Sequence, residues 1–527
     1  MKMLGVMIDC SRNGVLTVDS VKRYADIIRK MGYNTLMLYT EDTYEIDNNP
    51  FFGHLRGRYS KCEMKELDKY CNEIGIELIP CIQTLAHLNS IFKWGSQYGE
   101  INDCDDILLC EDEKTYALIE EMFKSLAECF STRKIHIGMD EAYRVGTAKY
   151  LQKHGFKDRF NVINDHLHKV CEIGNKYGFE PMIWSDMFCK LAMGTENQYE
   201  DVDTSAIKEK AKLPENVSLV YWDYYSTDYD HYVRMMRTNK LFDRKVCFAG
   251  GAWTWTGFSP KNQFSIDTAK AALRACADEG IDAVMMTVWG DDGSECSPFA
   301  ILPALMYVAE CAKGNTDMES IKARFKEITG SDFDSFLILD KLSQPRGKHQ
   351  DRLDRYLLYN DMFMGMRDYM CTFEDADYYK TVAQEIAKAE GKGEYKYIFD
   401  ACQALAEVLA IKSTLGIRTR EAYLNRDTDK LKEIIDDCTI MLRKIKNFHN
   451  LHQKRWYKDN KPHGFDVQDI RIGALLQRTE SCMKRLEMLV AGEISEIPEL
   501  DEPVLEEPYT NNNWARTVSP NVISHGC

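Results

Sequence analysis

"RKMGYNTLMLY" (residues 29–39) ends an amphipathic helix on a glycine and starts an apolar run within three residues. The same punctuation returns in "NEIGIELIPCI" (72–82), "NKYGFEPMIW" (175–184) and "ADEGIDAVMMTVW" (277–289). Glycine takes the left-handed conformation cheaply at a helix C-terminus and turns the chain into the next element. Repeated helix–glycine–strand units predict βαβ topology and a parallel sheet. Eight strands are expected: Leu4–Cys10, Thr35–Tyr39, Glu77–Cys81, Lys134–Gly138, Glu180–Trp184, Ser218–Trp222, Lys245–Ala249 and Ala283–Trp289. Helices are expected at Val18–Met31, Met64–Ile74, Thr115–Phe130, Val162–Tyr177, Ile266–Asp278 and Pro298–Cys311. Eight such strands in about 310 residues fit a (β/α)8 TIM barrel. A doubly wound open sheet would carry a glycine-rich phosphate loop after its first strand, and "DCSRNG" (9–14) is not one.

Beyond residue 312 the periodicity turns wholly helical, as in "YIFDACQALAEVLAIKSTL" (397–415) and "KLKEIIDDCTIMLRKIKNFH" (430–449). The expected organisation is therefore a (β/α)8 barrel over 1–312, an α-helical domain over 313–495, and an extended acidic tail over 496–527. The helical domain's periodicity says only that it packs, which leaves partner binding or a homodimer open.

Composition narrows the function. The 527 residues carry 83 acidic against 67 basic side chains, a net charge of −16. That speaks against nucleic acid or an anionic membrane as partner, because both demand a basic surface. No apolar run approaches the length of a transmembrane helix. The start, "MKMLGVMIDCSRNG", has one lysine and no small-residue cleavage site, and reads as a strand that begins at once. Eighteen cysteines are scattered singly, without a C-x-x-C pair, and the terminal "SHGC" is not a prenylation box. A chain this long needs no disulfide staples, so reduced thiols and a cytoplasmic location are expected.

Chemistry in such barrels collects at the C-terminal strand ends. The strands here end in Asp9 and Arg12; Glu41 and Asp42; His87 and Asn89; Asp140 and Glu141; Trp184 and Asp186; "YWDYY" (221–225); "GGAWTWTG" (250–257); and "WGDDG" (289–293). Singly, each has a bland reading as core, turn or cap. Together, aromatic walls, carboxylates and an arginine suit a carbohydrate, whose C–H faces stack on rings and whose hydroxyls take charge-assisted hydrogen bonds. A metal site is not expected. His136 and Asp140 lie more than about 12 Å apart along an extended strand, and no H-E-x-x-H spacing occurs.

"HIGMDEA" (136–142) resembles the H-x-G-x-D-E motif of glycoside hydrolase family 20, the β-N-acetylhexosaminidases, and the likeness extends over roughly residues 1–310. The chain looks like a compact branch that lacks the small α/β domain many members carry before the barrel. The resemblance implies an exo-acting enzyme that hydrolyses terminal, non-reducing β-linked GlcNAc or GalNAc from an oligosaccharide or glycoconjugate, with no cofactor. It implies retaining, substrate-assisted catalysis, in which the 2-acetamido oxygen attacks the anomeric carbon to give an oxazolinium ion. Glu141 would be the general acid and base, its proton affinity raised by neighbouring carboxylates and partial burial, and Asp140 would hold the acetamide N–H. Arg12 would grip sugar hydroxyls, with Asp42 and His87 as polar support. Trp184, Trp222 and Trp289 would form the aromatic walls, joined by Trp253. Asp291, at W-x-D spacing from Trp289, would hold further hydroxyls. Strand seven lacks the tyrosine that commonly grips the acetamide carbonyl. Tyr224 or Tyr225 would substitute, and strand alternation favours Tyr224. Two other readings stand beside this one: a metal-dependent barrel isomerase or amidohydrolase, and a non-catalytic sugar-binding relative. The intact Asp140–Glu141 pair speaks against the second, since a lectin needs no proton donor.

Overall fold

A computed structural model describes residues 1–200, 204–210, 212–345, 347 and 352–506. Eight parallel strands close into a barrel: Met3–Asp9, Thr35–Tyr39, Glu77–Cys81, Lys134–His136, Glu180–Trp184, Ser218–Trp222, Lys245–Gly251 and Ala283–Val288. Each pairs with its neighbours in chain order, and the first closes on the eighth from Met3↔Ala283 to Ile8↔Val288. A two-stranded hairpin, Asn102–Cys104 with Ile107–Leu108, is inserted between the third and fourth strands.

Both faces of the strands are buried, and the period of two sorts the side chains. Met3 and Met7, Met37 and Tyr39, Ile79 and Cys81, Met182 and Trp184, and Cys247 and Ala249 point inward and share one core. Methionine's flexible thioether suits the irregular space inside a small barrel. The alternate residues, such as Val6, Ile8, Leu36 and Leu38, face outward into the layer of helices. That layer is well started and stopped. Thr17 caps helix Val18–Met31 by accepting the Ser20 N–H, and Gly32, at φ +118°, returns its own N–H to the Ile28 and Arg29 carbonyls. Ser60 and Glu63 form a capping box on helix Lys61–Ile74.

The fourth strand is shorter than expected, stopping at His136 instead of Gly138. Gly138, Met139 and Glu141 all take positive φ, at 74°, 75° and 52°, so the backbone leaves the ladder and coils over the barrel mouth.

Past the barrel, the named elements among the described residues are helical. The longest are Lys396–Leu424, Thr428–Asp459 and Phe465–Val490, which share a second apolar core. The tail expected to be extended instead forms a short helix at Pro498–Asp501. Ile497 and Leu500, three residues apart, bury themselves against that core. Residues 507–527 of that tail lie outside the described residues.

The helical part grips the loop after the eighth strand. Arg355, fully buried, sets its Nε 2.7 Å from Glu295 Oε2 and a terminal nitrogen 3.1 Å from Asp292 Oδ2. Arg471 reaches the other Glu295 oxygen at 3.1 Å and also donates to the Asp292 carbonyl. Arg455 donates to the Glu295 carbonyl at 2.9 Å, and Ser297 donates to Asp459 at 2.6 Å. Truncating one partner of a buried ion pair leaves the other charge desolvated, typically at a cost of about 3–5 kcal/mol. Arg355→Met is expected to destabilise the protein by about 3 kcal/mol, toward the low end because Arg471 still faces Glu295. Urea unfolding followed by tryptophan fluorescence measures it, and an unchanged midpoint would show the pair to be dispensable.

Candidate active site

The strand alternation continues past the strand ends and lines the barrel mouth. Tyr39 leads to Glu41, Cys81 to Gln83, Trp184 to Asp186 and Trp222 to Tyr224, each two residues on. A cavity of about 250 Å³ opens there. Its floor and walls are Trp184, Trp222, Tyr224, Trp255 and Trp289, and its charged rim comprises Arg12, His87, Asp140, Glu141, Asp291 and Asp292, with Tyr225 beside them. The loops that deliver these groups hold several non-glycine residues in the left-handed region: Glu41, His87, Met139, Glu141 and Asp292. Such conformations persist only where the surroundings fix them, and they gather at working sites.

One hydrogen-bond chain runs across the mouth. Arg12 lies 3.4 Å from Asp9 and 3.3 Å from Glu41, with its guanidinium against the rings of Tyr39 and Trp289. Tyr39 donates to Glu41 Oε1 at 3.1 Å and accepts from Gln83 Nε2 at 2.8 Å. Gln83 Nε2 also donates to Asp140 Oδ1 at 2.7 Å, while its Oε1 accepts the Met139 N–H at 3.1 Å. The second Asp140 oxygen lies 3.2 Å from His87 Nε2. Burial alone would push Asp140 up. The charge and contact of His87, with the Gln83 bond, outweigh it and hold the carboxyl below its ordinary range. Burial likewise opposes a charged imidazole at His87, and Asp140 overrides it, lifting His87 to about 10.

The neighbouring acids lack such support. Asp186 is fully buried and is pushed up to about 7 by burial and then by the Asp140 charge, with Lys190 opposing. Asp291 is lifted to about 7 by burial, against the pull of Arg12. The burial expected at Glu141 is found on Asp186 instead. The Glu141 side chain is 41 % exposed, since its left-handed backbone swings it to the cavity's edge. Its Oε1 accepts from the Tyr143 hydroxyl at 3.2 Å, and its N–H donates to Asp186 Oδ2 at 3.2 Å.

Of the residues expected at the site, Arg12, His87, Asp140, Glu141, Trp184, Trp222, Tyr224, Tyr225, Trp289 and Asp291 converge on the cavity. Asp42 and Trp253 do not. Asp42 turns to Arg56, 3.1 Å away, and the site takes Glu41 in its place because inward alternation from Met37 and Tyr39 reaches 41. Trp253 is packed beneath Trp255, with ring centres 4.3 Å apart, and spends its indole N–H on the Tyr224 carbonyl. Trp255 is the ring that meets the cavity. Gln83 went unread in the sequence, although counting two on from Ile79 and Cys81 reaches it. Among the described residues, no three His, Cys, Asp or Glu side chains are placed to hold a metal ion.

Gly138 is the tightest point of the arrangement. A Cβ there would lie 2.0 Å from Gln83 Oε1, and its φ is +74°. Gly138→Ala is expected to destabilise the protein by about 1–3 kcal/mol and, by displacing Gln83 from Asp140, to cut turnover at least tenfold. Thermal unfolding and a glycosidase assay on the same preparation check it, and an unperturbed variant would show that Gln83 does not lock Asp140.

Residues 3–235 match the family model described as glycosyl hydrolase family 20, catalytic domain, and residues 334–518 match that of the glycoside hydrolase 20C C-terminal domain. Hexosaminidase D of Bos taurus is 24% identical over 255 residues, which cover 46% of this chain and 67% of the bovine protein. Hexosaminidase D of Homo sapiens is 23% identical over 223 residues, 41% of this chain and 43% of the human protein, so the match spans less than half of that relative. Among solved structures, the Streptomyces plicatus N-acetyl-beta-hexosaminidase in complex with Thio-NAglucal is 20% identical with a TM-score of 0.45, covering 62% of this chain and 68% of that one. The two family models together take in the first six strands of the barrel and most of the helical part, and the chain belongs to glycoside hydrolase family 20.

Proposed function

We propose that the protein is an exo-β-N-acetylhexosaminidase that works by substrate-assisted, retaining catalysis. The carrying observation is the contrast between two adjacent carboxyls. Asp140 is 8 % exposed and tied to Gln83 and His87, whereas Glu141 stands at the cavity's edge. Two acids on one turn cannot flank a glycosidic bond in the way most glycosidases require, but they can serve one sugar in different roles. Asp140, held anionic, accepts the acetamide N–H and steadies the positive charge that grows as the acetamide oxygen attacks the anomeric carbon. Glu141 gives its proton to the departing oxygen, then takes one from the water that opens the oxazolinium ring. Tyr224 accepts the Trp289 indole N–H at 3.1 Å, which leaves its own hydroxyl proton for the acetamide carbonyl. Its ring stacks on Trp222 at 5.3 Å, giving the pocket an aromatic wall suited to a terminal sugar. Arg12 and Asp291 take the hydroxyls on the far side of the ring.

Glu141→Gln is expected to lose roughly 10²–10⁴-fold in activity on a substrate with a poor leaving group, the usual worth of general acid catalysis. Substrates with a 2-hydroxyl in place of the acetamide should be nearly inert. Progressive fluorination of the N-acetyl group should slow cleavage, and a thiazoline mimic of the cyclised intermediate should inhibit tightly. Rates indifferent to fluorination, with no thiazoline inhibition, would overturn the substrate-assisted route.

The same proposal places the enzyme in the cytoplasm, acting on oligosaccharides or glycoconjugates with a terminal N-acetylhexosamine. Its support is that no disulfide is seen between any two of the described cysteines, most of which are buried. Thiol titration of denatured, unreduced protein should find most of the 18 cysteines of the sequence reactive. A majority in disulfides would reverse the compartment.

A further inference from the structure

Behind the Asp140–Glu141 turn runs a chain of polar groups to which the reaction above gives no task. Lys190, in helix Asp186–Met193, is only 7 % exposed, a rare setting for a lysine. Its Nζ donates to the Tyr143 hydroxyl at 3.1 Å, lies 3.7 Å from Asp186 Oδ2, and sits 4.6 Å from the Tyr143 ring centre. An ammonium can only donate, so the tyrosine oxygen accepts and its single proton is left for Glu141 Oε1, 3.2 Å away. The main chain of the turn is pinned as well. The Glu141 carbonyl accepts the Tyr143 N–H at 2.6 Å, and Arg159 donates to the Tyr143 carbonyl. The other carboxyl oxygen, Oε2, lies 3.6 Å from Nε2 of His87, itself a residue of the cavity rim.

We propose that Lys190 and Tyr143 are positioning residues for the proton donor: through the Tyr143 hydroxyl they claim Glu141 Oε1 and confine the transferred proton to Oε2. The inference rests on the reading of Glu141 as general acid. In the first half-reaction the Oε2 proton passes to the glycosidic oxygen as the bond to the anomeric carbon breaks. The carboxylate left behind keeps the tyrosine O–H on one oxygen, with Lys190 behind that hydroxyl and His87 Nε2 3.6 Å from the other oxygen. In the second half-reaction Oε2 takes a proton from the attacking water. The relay thus holds one carboxyl rotamer through both halves and stabilises the anion between them.

The acids acting on Glu141 from the surrounding elements are Asp186 and Asp291, Asp140 adjoins it in the chain, and the phenols are Tyr143 and Tyr225. Removing a donor to the carboxylate, or the cation behind that donor, favours the protonated carboxyl. Because the donor must be protonated to act, the alkaline limb of the kcat/KM profile should then move to higher pH. A weaker, less well-held acid should also harm poor leaving groups more than good ones.

The test uses the full chain and one sugar on two aglycones, the 4-nitrophenyl and the methyl β-N-acetylglucosaminides. Tyr143→Phe and Lys190→Met are expected to lower kcat/KM on the methyl glycoside by about tenfold or more, the worth of a hydrogen bond to a charged group. The loss on the 4-nitrophenyl substrate should be smaller, and the alkaline limb should rise by about one pH unit. Lys190→Arg, which keeps the cation, should restore the limb toward its original place. Equal losses on both substrates with an unmoved limb would overturn the relay. Should Lys190→Met fail to fold, Tyr143→Phe decides alone, since it keeps both the ring and the lysine. An inactive Glu141→Gln beside an unaffected Tyr143→Phe removes only the relay. An active Glu141→Gln removes the reading of Glu141, and the relay with it.

Discussion

The hydrogen-bonded closure of the first strand on the eighth brings residues nearly three hundred apart in sequence to the same rim. It sets Met3–Ile8 beside Ala283–Val288, and just beyond the ladder Asp9 Oδ2 accepts the Gly290 N–H at 3.0 Å. That bond places Arg12 against Trp289, and the cavity exists because the ring of strands is complete. The interior methionines and aromatics keep the barrel filled below, and the cavity opens above them at the mouth.

At that mouth the protein concentrates negative charge. Burial pushes Asp140, Asp186 and Asp291 toward the neutral form, and each carboxyl's state follows from how far nearby cations and donors offset that push. Asp140 has His87 and an amide donor and remains anionic; Asp186 has Lys190 at 3.7 Å and a single backbone N–H, and is lifted to about 7. Neighbours on the same rim are thereby given different proton affinities, which a site needs if one group is to hold charge while another moves a proton.

Among the described residues, those lining the cavity all come from the barrel and its loops, and the helical part acts from behind them. Arg355, Arg455 and Arg471 converge on Glu295 and on the backbone around Asp292, immediately after the strand that carries Trp289 and Asp291. A loop bearing a polar group into a binding site is an ordinary source of mobility. Here buried charge-assisted bonds from helices Leu353–Tyr359, Thr428–Asp459 and Phe465–Val490 fix it.

The barrel was legible in the sequence because its cause is local. Glycine after an amphipathic helix and a short apolar run after the glycine set topology without reference to distant residues, and four of the eight strands have the bounds the pattern predicts. The Asp140–Glu141 pair and the aromatic strand ends could be read for the same reason. What tertiary structure alone decided begins where the strands stop. Left-handed backbone at Glu141 puts it at the edge with its side chain partly in solvent, and arginines from elsewhere divide the second strand's two acids, Arg12 facing Glu41 and Arg56 facing Asp42. After Gly251 the chain curls so that Trp253 goes under and Trp255 comes out, against the alternation that holds elsewhere. Gln83 matters only because three strands bring Tyr39, Met139 and Asp140 within its reach. Periodicity fixes which way a side chain points while the backbone stays extended. Once φ turns positive, its direction depends on the partners that hold the turn, and those come from other strands.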